Sequence, residues 1–235
     1  KENIKIIGVL QQKLYEFYFI WRTFSSNYLS IQNHQVKHTL SGRNLLIFDV
    51  VEKENSNLLI AGVFEQTLSV GNREIRSSEA RSGFVLEMNN DAKVVWVKTF
   101  GGDVEFDNFQ ICLAGNDEMT LAGSFVGTMH VQEKSTSLTS EESLSNIFLL
   151  SFDMDGKITD AISTDKGNLS LVRIHESNGL IFITANDLET SNSVVKSVLV
   201  VFNDNFSTSD IFDLESDRKS TRLNSSHRCI SYAVF

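Results

Sequence analysis

Proline is absent from all 235 residues, so no proline-rich linker divides the chain. Only two cysteines occur, Cys112 and Cys229, too few and too scattered for a disulfide framework or a metal-ligand pattern. No apolar run approaches the ~20 residues of a membrane-spanning helix. The chain opens at Lys1 without a basic leader, an apolar stretch or a cleavage-site pattern. Catalytic signatures are missing too. No serine stands in Gly-x-Ser-x-Gly, and no glycine loop is built to cradle phosphate. No basic stripe with interleaved aromatics is present. The formal net charge is −9, from 21 basic and 30 acidic residues. Four of the basic residues and one acidic residue (Asp217) fall in residues 217–235, so the rest is more acidic still. An acidic body repels a phosphate backbone, which excludes nucleic acid as a partner.

What is present points to strands around a buried core. Hydrophobic residues make up 41% and charged ones 22%, ordinary for a globular chain. The 17 phenylalanines and recurring β-branched runs suit half-buried pleated surfaces.

The organising feature is repetition. Asn3-Ile-Lys-Ile-Ile-Gly-Val-Leu10, Asn57-Leu-Leu-Ile-Ala-Gly-Val-Phe64, Glu118-Met-Thr-Leu-Ala-Gly-Ser-Phe125 and Leu180-Ile-Phe-Ile-Thr-Ala-Asn-Asp187 align. Each has a small residue at one slot: Gly8, Gly62, Gly123 and Ala185. Small residues there let backbones approach closely, as crowding near a propeller axis requires. A second slot aligns Gly83-Phe-Val-Leu-Glu-Met-Asn-Asn-Asp91 with Ile147-Phe-Leu-Leu-Ser-Phe-Asp-Met-Asp155 and Ser197-Val-Leu-Val-Val-Phe-Asn-Asp-Asn205. These alternate with period two and end in Asn/Asp clusters, the pattern of a strand entering a turn. A third slot holds Phe48-Asp-Val-Val51, Phe109-Gln-Ile-Cys112 and Leu171-Val-Arg-Ile174. Ile7, Leu10, Leu14, Phe17, Trp21 and Phe24 are spaced as on an amphipathic helix. The match of residues 3–14 to 57–68 overrides this in favour of strand.

Each unit thus holds about four short strands. The expected fold is all-β, an incomplete β-propeller of repeated four-stranded antiparallel blades. Its units span about 1–56, 57–117, 118–179 and 180–216. Phe84, Leu86, Phe125, Phe148, Leu150, Val198 and Val200 are expected to be buried, alternating with polar or exposed neighbours.

The best-defined unit joins Gly83-Phe-Val-Leu-Glu-Met-Asn-Asn-Asp to Val95-Trp-Val-Lys-Thr-Phe-Gly-Gly102 and Leu121-Ala-Gly-Ser-Phe-Val-Gly-Thr128. It resembles the bacterial β-propeller repeats known as SBBP repeats, over roughly residues 3–205. The next unit departs from the pattern, with Asp160 in place of Trp96 and Lys166-Gly167 in place of Gly101-Gly102. The resemblance implies a structural repeat of surface and secreted proteins, with no shared catalytic residues.

Asp153-Met-Asp-Gly156 starts like a calcium loop but lacks a third ligand before the glycine and a distal Glu. A tight turn explains it together with Asn89–Asp91 and Asn203–Asn205. Asp103, Glu105 and Asp107 alternate and read as a solvated loop. His34, His38, His130 and His175 are scattered across units; the first pair has i, i+4 spacing but no third ligand nearby. Asn168-Leu-Ser170 and Asn205-Phe-Ser207 match the glycosylation pattern. No residue is assigned to catalysis, a cofactor or a metal.

Asp217-Arg-Lys-Ser-Thr-Arg-Leu-Asn-Ser-Ser-His227 and Ile230-Ser-Tyr-Ala-Val-Phe235 resemble the translated ends of a sequencing adapter. Residues 217–235 are therefore expected to be a non-native tail on a partial propeller at 1–216. The expected function is a non-catalytic module, a scaffold or binding surface for a protein or glycan in a secreted or cell-surface protein. Its remaining blades would belong to the same chain. The alternative is a fragment of a propeller-fold enzyme acting on glycans, with active-site residues on other blades.

Overall fold

The computed structural model describes residues 28–214, apart from 34–35, 71–72, 78, 80, 90, 92, 115–117, 142, 165–167, 189–195 and 203–207. The segment 3–24 with Gly8, the turn at 203–205 and the tail at 217–235 lie outside the described residues.

The protein is all-β, and every strand pairing is antiparallel. The strands are β1 Tyr28–Asn33, β2 Val36–Glu52, β3 Leu58–Val70, β4 Arg73–Arg76, β5 Ser82–Met88, β6 Val94–Leu113 and β7 Met119–Val131. They continue with β8 Thr136–Thr139, β9 Asn146–Phe152, β10 Ile158–Ser163, β11 Leu169–Ser177, β12 Leu180–Asp187, β13 Lys196–Phe202 and β14 Thr208–Leu214. A 3-10 turn, Gln132–Lys134, interrupts them. No described helix is long and apolar enough to cross a membrane.

Hydrogen bonding links β1, β2, β3, β5, β6, β7, β9 and β10 in that order, with β4 on β3 and β8 on β7. A separate sheet runs β11-β12-β13-β14. Among the described residues, both sheets are open at their ends.

Within this pairing lie three four-stranded meanders. The first uses the C-terminal half of β2, then β3, β5 and the N-terminal half of β6. The second uses the C-terminal half of β6, then β7, β9 and β10. The third is β11–β14. Strand β6 serves two meanders because it changes partner at Gly101, which pairs with Ser82 of β5 and with His130 of β7.

The registers of the three meanders coincide. Gly62 faces Ile47 and Phe84, Gly123 faces Phe109 and Phe148, and Ala185 faces Leu171 and Val198. The third slot is corrected by one residue in the first meander, where a bulge at Phe48 brings Ile47 opposite Gly62. The small residues also have a more local cause than axial crowding. A Cβ on Gly123 would lie 2.5 Å from the Phe148 ring and 2.6 Å from that of Phe109. A Cβ on Gly62 would lie 2.1 Å from the Leu46 carbonyl and 3.0 Å from the Phe84 ring. Glycine accompanies a phenylalanine on the adjoining strand, and alanine suffices at 185 where the neighbour is Val198.

Each meander has a leading face, turned to the next meander, and a trailing face. Leu59, Ala61, Val63 and Val85 of the first leading face pack on Phe109, Ile111, Leu121, Phe148, Leu150 and Phe152 of the second meander. Ala122, Ile147 and Leu149 of the second pack on Leu171, Ile174, Ile183, Val198 and Val200 of the third. The trailing face of the first meander, with Ile60, Phe84, Leu86 and Met88, is also buried.

All seven residues expected to be buried are so. The expected alternation holds in β13, where buried Val198 and Val200 alternate with half-buried Leu199 and Val201, but fails in β5 and β9, which are buried at every position. A central strand covered on both faces loses its polar side, and Val85 is as buried as Phe84.

Candidate interaction surface

The polar contacts that recur between meanders lie on their first strands. Cross-strand pairing places Asp49 opposite Ala61, Gln110 opposite Ala122 and Arg173 opposite Thr184. These three occupy one slot on the leading face. Asp49 Oδ2 accepts from the Ile111 amide at 2.8 Å, and its Oδ1 accepts from Val50 at 2.9 Å. Gln110 Oε1 accepts from the Ile174 amide at 3.2 Å, while its Nε2 donates to the Val172 carbonyl at 2.9 Å. Ile111 pairs with Leu121 and Ile174 with Ile183, so both slots reach the same register position of the following first strand.

The electrostatics of the slot change along the repeat. Burial raises the Asp49 pKa, against the lowering effects of the Ile111 and Val50 amides and the Arg173 charge. Gln110 makes the same kind of bond without a charge to desolvate. Arg173 is exposed and carries donors only.

Further bonds join the second and third meanders. Ser124 Oγ, fully buried, accepts from Leu171 at 2.7 Å. Ser145 Oγ donates to the Leu169 carbonyl at 2.9 Å, and Asn108 Nδ2 to the Leu171 carbonyl at 3.3 Å.

A buried polar cluster occupies the end of the first leading face. Glu87 Oε2 accepts from Trp96 Nε1 at 2.8 Å and lies 3.4 Å from Lys53 Nζ, while its Oε1 accepts from Asn57 Nδ2. Trp96 stacks on Phe152 of the second meander, with ring centroids 6.1 Å apart. It also fills the space over Gly156, where φ is +76° and a Cβ would meet the ring at 2.3 Å. The carboxylate thus fixes the Trp96 indole, which in turn locks two meanders together. Nearby, Lys98 donates to Glu133, which also accepts from the Ile158 amide at 3.1 Å. Burial raises the Glu133 pKa, but the Lys98 and Ile158 bonds and nearby lysine charges outweigh it and leave the pKa lowered.

The residues weighed as metal or catalytic candidates disperse. Asp153 Oδ1 accepts from the amides of Asp155 at 3.1 Å and Lys157 at 2.8 Å, the geometry of a tight turn. Asn89 Oδ1 accepts likewise from Lys93 at 2.8 Å. Asp103, Glu105 and Asp107 form the exposed side of β6, which corrects the loop reading. Gly102, Val104 and Phe106, between and beside them, are buried. His130 Nδ1 meets Ser137 Oγ at 2.8 Å, and His175 is exposed on β11. His38 lies in β2, and His34 lies outside the described residues. Burial pushes the Cys112 thiol up to about 11, helped by the Glu176 charge and opposed by a backbone hydrogen bond at Glu176. Among the described residues no three His, Cys, Asp or Glu side chains group as a metal site.

The slot residues and the Glu87 cluster escaped the sequence reading. A signal was present, since Glu87 interrupts an apolar run and Asp49 and Gln110 align. In comparison with known proteins, no family model and no curated relative matches this sequence.

Proposed function

We propose that this chain is a non-catalytic module of β-propeller type, related to SBBP repeats, that acts as a scaffold or binding surface. Its partner would be a protein or a glycan, in a secreted or cell-surface setting. The observation that carries this reading is the recurrence of the first-strand slot: Asp49 and Gln110 each tie one meander to the next at the same register. Among the described residues, the first strands of successive meanders approach one another, β2 on β6 and β6 on β11, with no comparable approach between the fourth strands β10 and β14, which supports a wedge-shaped array converging on its first strands. Flat parallel stacking would bring first and fourth strands equally close. The polar side chains at the joints are committed to bonds within the fold, which favours a scaffold over an enzyme.

Spin-label distances on the full chain test the arrangement. Labels at Glu52 and His175, on first strands, should lie much closer than labels at Thr99 and Phe212, on fourth strands. Equal separations would overturn the propeller reading. Saturable hydrolysis of chromogenic glycosides by the purified chain would overturn the non-catalytic reading.

A further inference from the structure

The leading face of the third meander is the counterpart of the two leading faces that are already covered. Its rows are His175, Phe182, Val201 and Asp210, then Arg173, Thr184, Leu199 and Phe212. They correspond by register to Val51, Leu59, Glu87 and Trp96, then Asp49, Ala61, Val85 and Lys98, of the first meander. The covered faces hold fully or nearly fully buried side chains such as Ala61, Val85, Ala122 and Leu149. The third face instead leaves Leu180 at 36%, Phe212 at 49% and Leu214 at 43% exposed.

We propose that this face docks one further four-stranded sheet of the same repeat pattern, with Arg173 donating to a carbonyl of that sheet's first strand. The inference rests on the repeat-module reading and adds the partner of this face and the chemistry of its joint. Two observations say what covers it. On both preceding meanders the same face meets the trailing face of a following sheet. At the same slot Gln110 Nε2 already donates to a carbonyl of the next first strand, and a guanidinium reproduces that half of the contact. The acceptor half, made by Asp49 and by Gln110 Oε1, is lost at Arg173, so the incoming first strand must not depend on it. A second copy of the chain cannot supply the cover in this manner, because its first trailing face is buried already. The joint is therefore directional: it selects a sheet by trailing face and by a carbonyl-first contact.

The test extends the full chain after Phe235 with a further copy of residues 107–163 as the docking probe. Docking should slow amide exchange in β12 and β13 by at least about tenfold relative to the unextended chain. Arg173→Ala should weaken that protection, and Arg173→Gln should restore it. Leu199→Asp should abolish it without changing the exchange of β5 and β9. Unchanged exchange in the extended chain, or insensitivity to Leu199→Asp, would overturn the docking surface. So would dimerisation of the unextended chain that Leu199→Asp disrupts, because a second copy would then be the occupant. Failure of the underlying reading has a separate signature. Leu149→Asp, on the covered face of the second meander, would then leave the exchange of β11–β13 untouched.

Discussion

A methyl group on Gly123 would land 2.5 Å from the Phe148 ring and 2.6 Å from Phe109. Both rings belong to a fully buried aromatic group, with centroids 5.4 Å apart, and neither can retreat cheaply. Gly123→Ala should therefore cost about 1–3 kcal/mol by overpacking, and Phe148→Ala about 3–5 kcal/mol through the cavity it leaves. The double variant should lose less than the sum, since removing the ring makes room for the methyl. Additive losses in urea denaturation would show that the crowding is relieved elsewhere. Asp49 gives a prediction of opposite character. Burial raises its folded pKa, so its favourable contribution is present at acid pH and is lost as pH rises through the folded pKa. Asp49→Asn keeps an acceptor for Ile111 but has no charge to desolvate, though it forfeits the short bond to Val50. Its stability relative to the native chain should improve as pH rises across the carboxylate range. A difference that is flat with pH, or worsens, would contradict the burial of that charge.

At the scale of elements, one carboxylate organises the end of the joint between the first two meanders. Glu87 satisfies Trp96 Nε1, Asn57 Nδ2 and Lys53 Nζ at once. Glu87→Ala strands a buried ammonium and should cost about 3–5 kcal/mol. Glu87→Gln combined with Lys53→Met should cost much less, because it retains an acceptor and removes the unpaired charge. Equal losses in the two variants, read from denaturant midpoints, would show that packing dominates over pairing. The cluster was not legible in the sequence, whereas the repeat around it was. The alignment of Phe84 with Phe148 and Val198, and of Gly62 with Gly123 and Ala185, anticipates the pairing of β3, β7 and β12. Period-two logic misread β5 and β9, because it assumes a wet face and these strands have none. The bulge at Phe48 was invisible, since a one-residue insertion leaves the apolar pattern intact. The long β6 was invisible too. Asp103, Glu105 and Asp107 read as a solvated loop in one dimension, but here one strand runs on through Gly101-Gly102 from one partner to another.

At the scale of the whole molecule, the three meanders are joined by two unlike connections. Ladder hydrogen bonding runs unbroken from the first meander into the second through β6, while the third meets the second through apolar packing and a few cross-bonds. Such connections respond differently when the chain is pulled from its ends. A packed face peels open a contact at a time, whereas a shared strand bears load along its own length and yields only when its ladders shear together. In an optical trap the third meander should leave first, at low force, as its own contour-length step. The first and second should then rupture in one larger event. If the first and second meanders instead extend in separate steps, β6 is no mechanical bridge. If they do not, the twenty residues of β6 make an adhesive between repeats into a tendon.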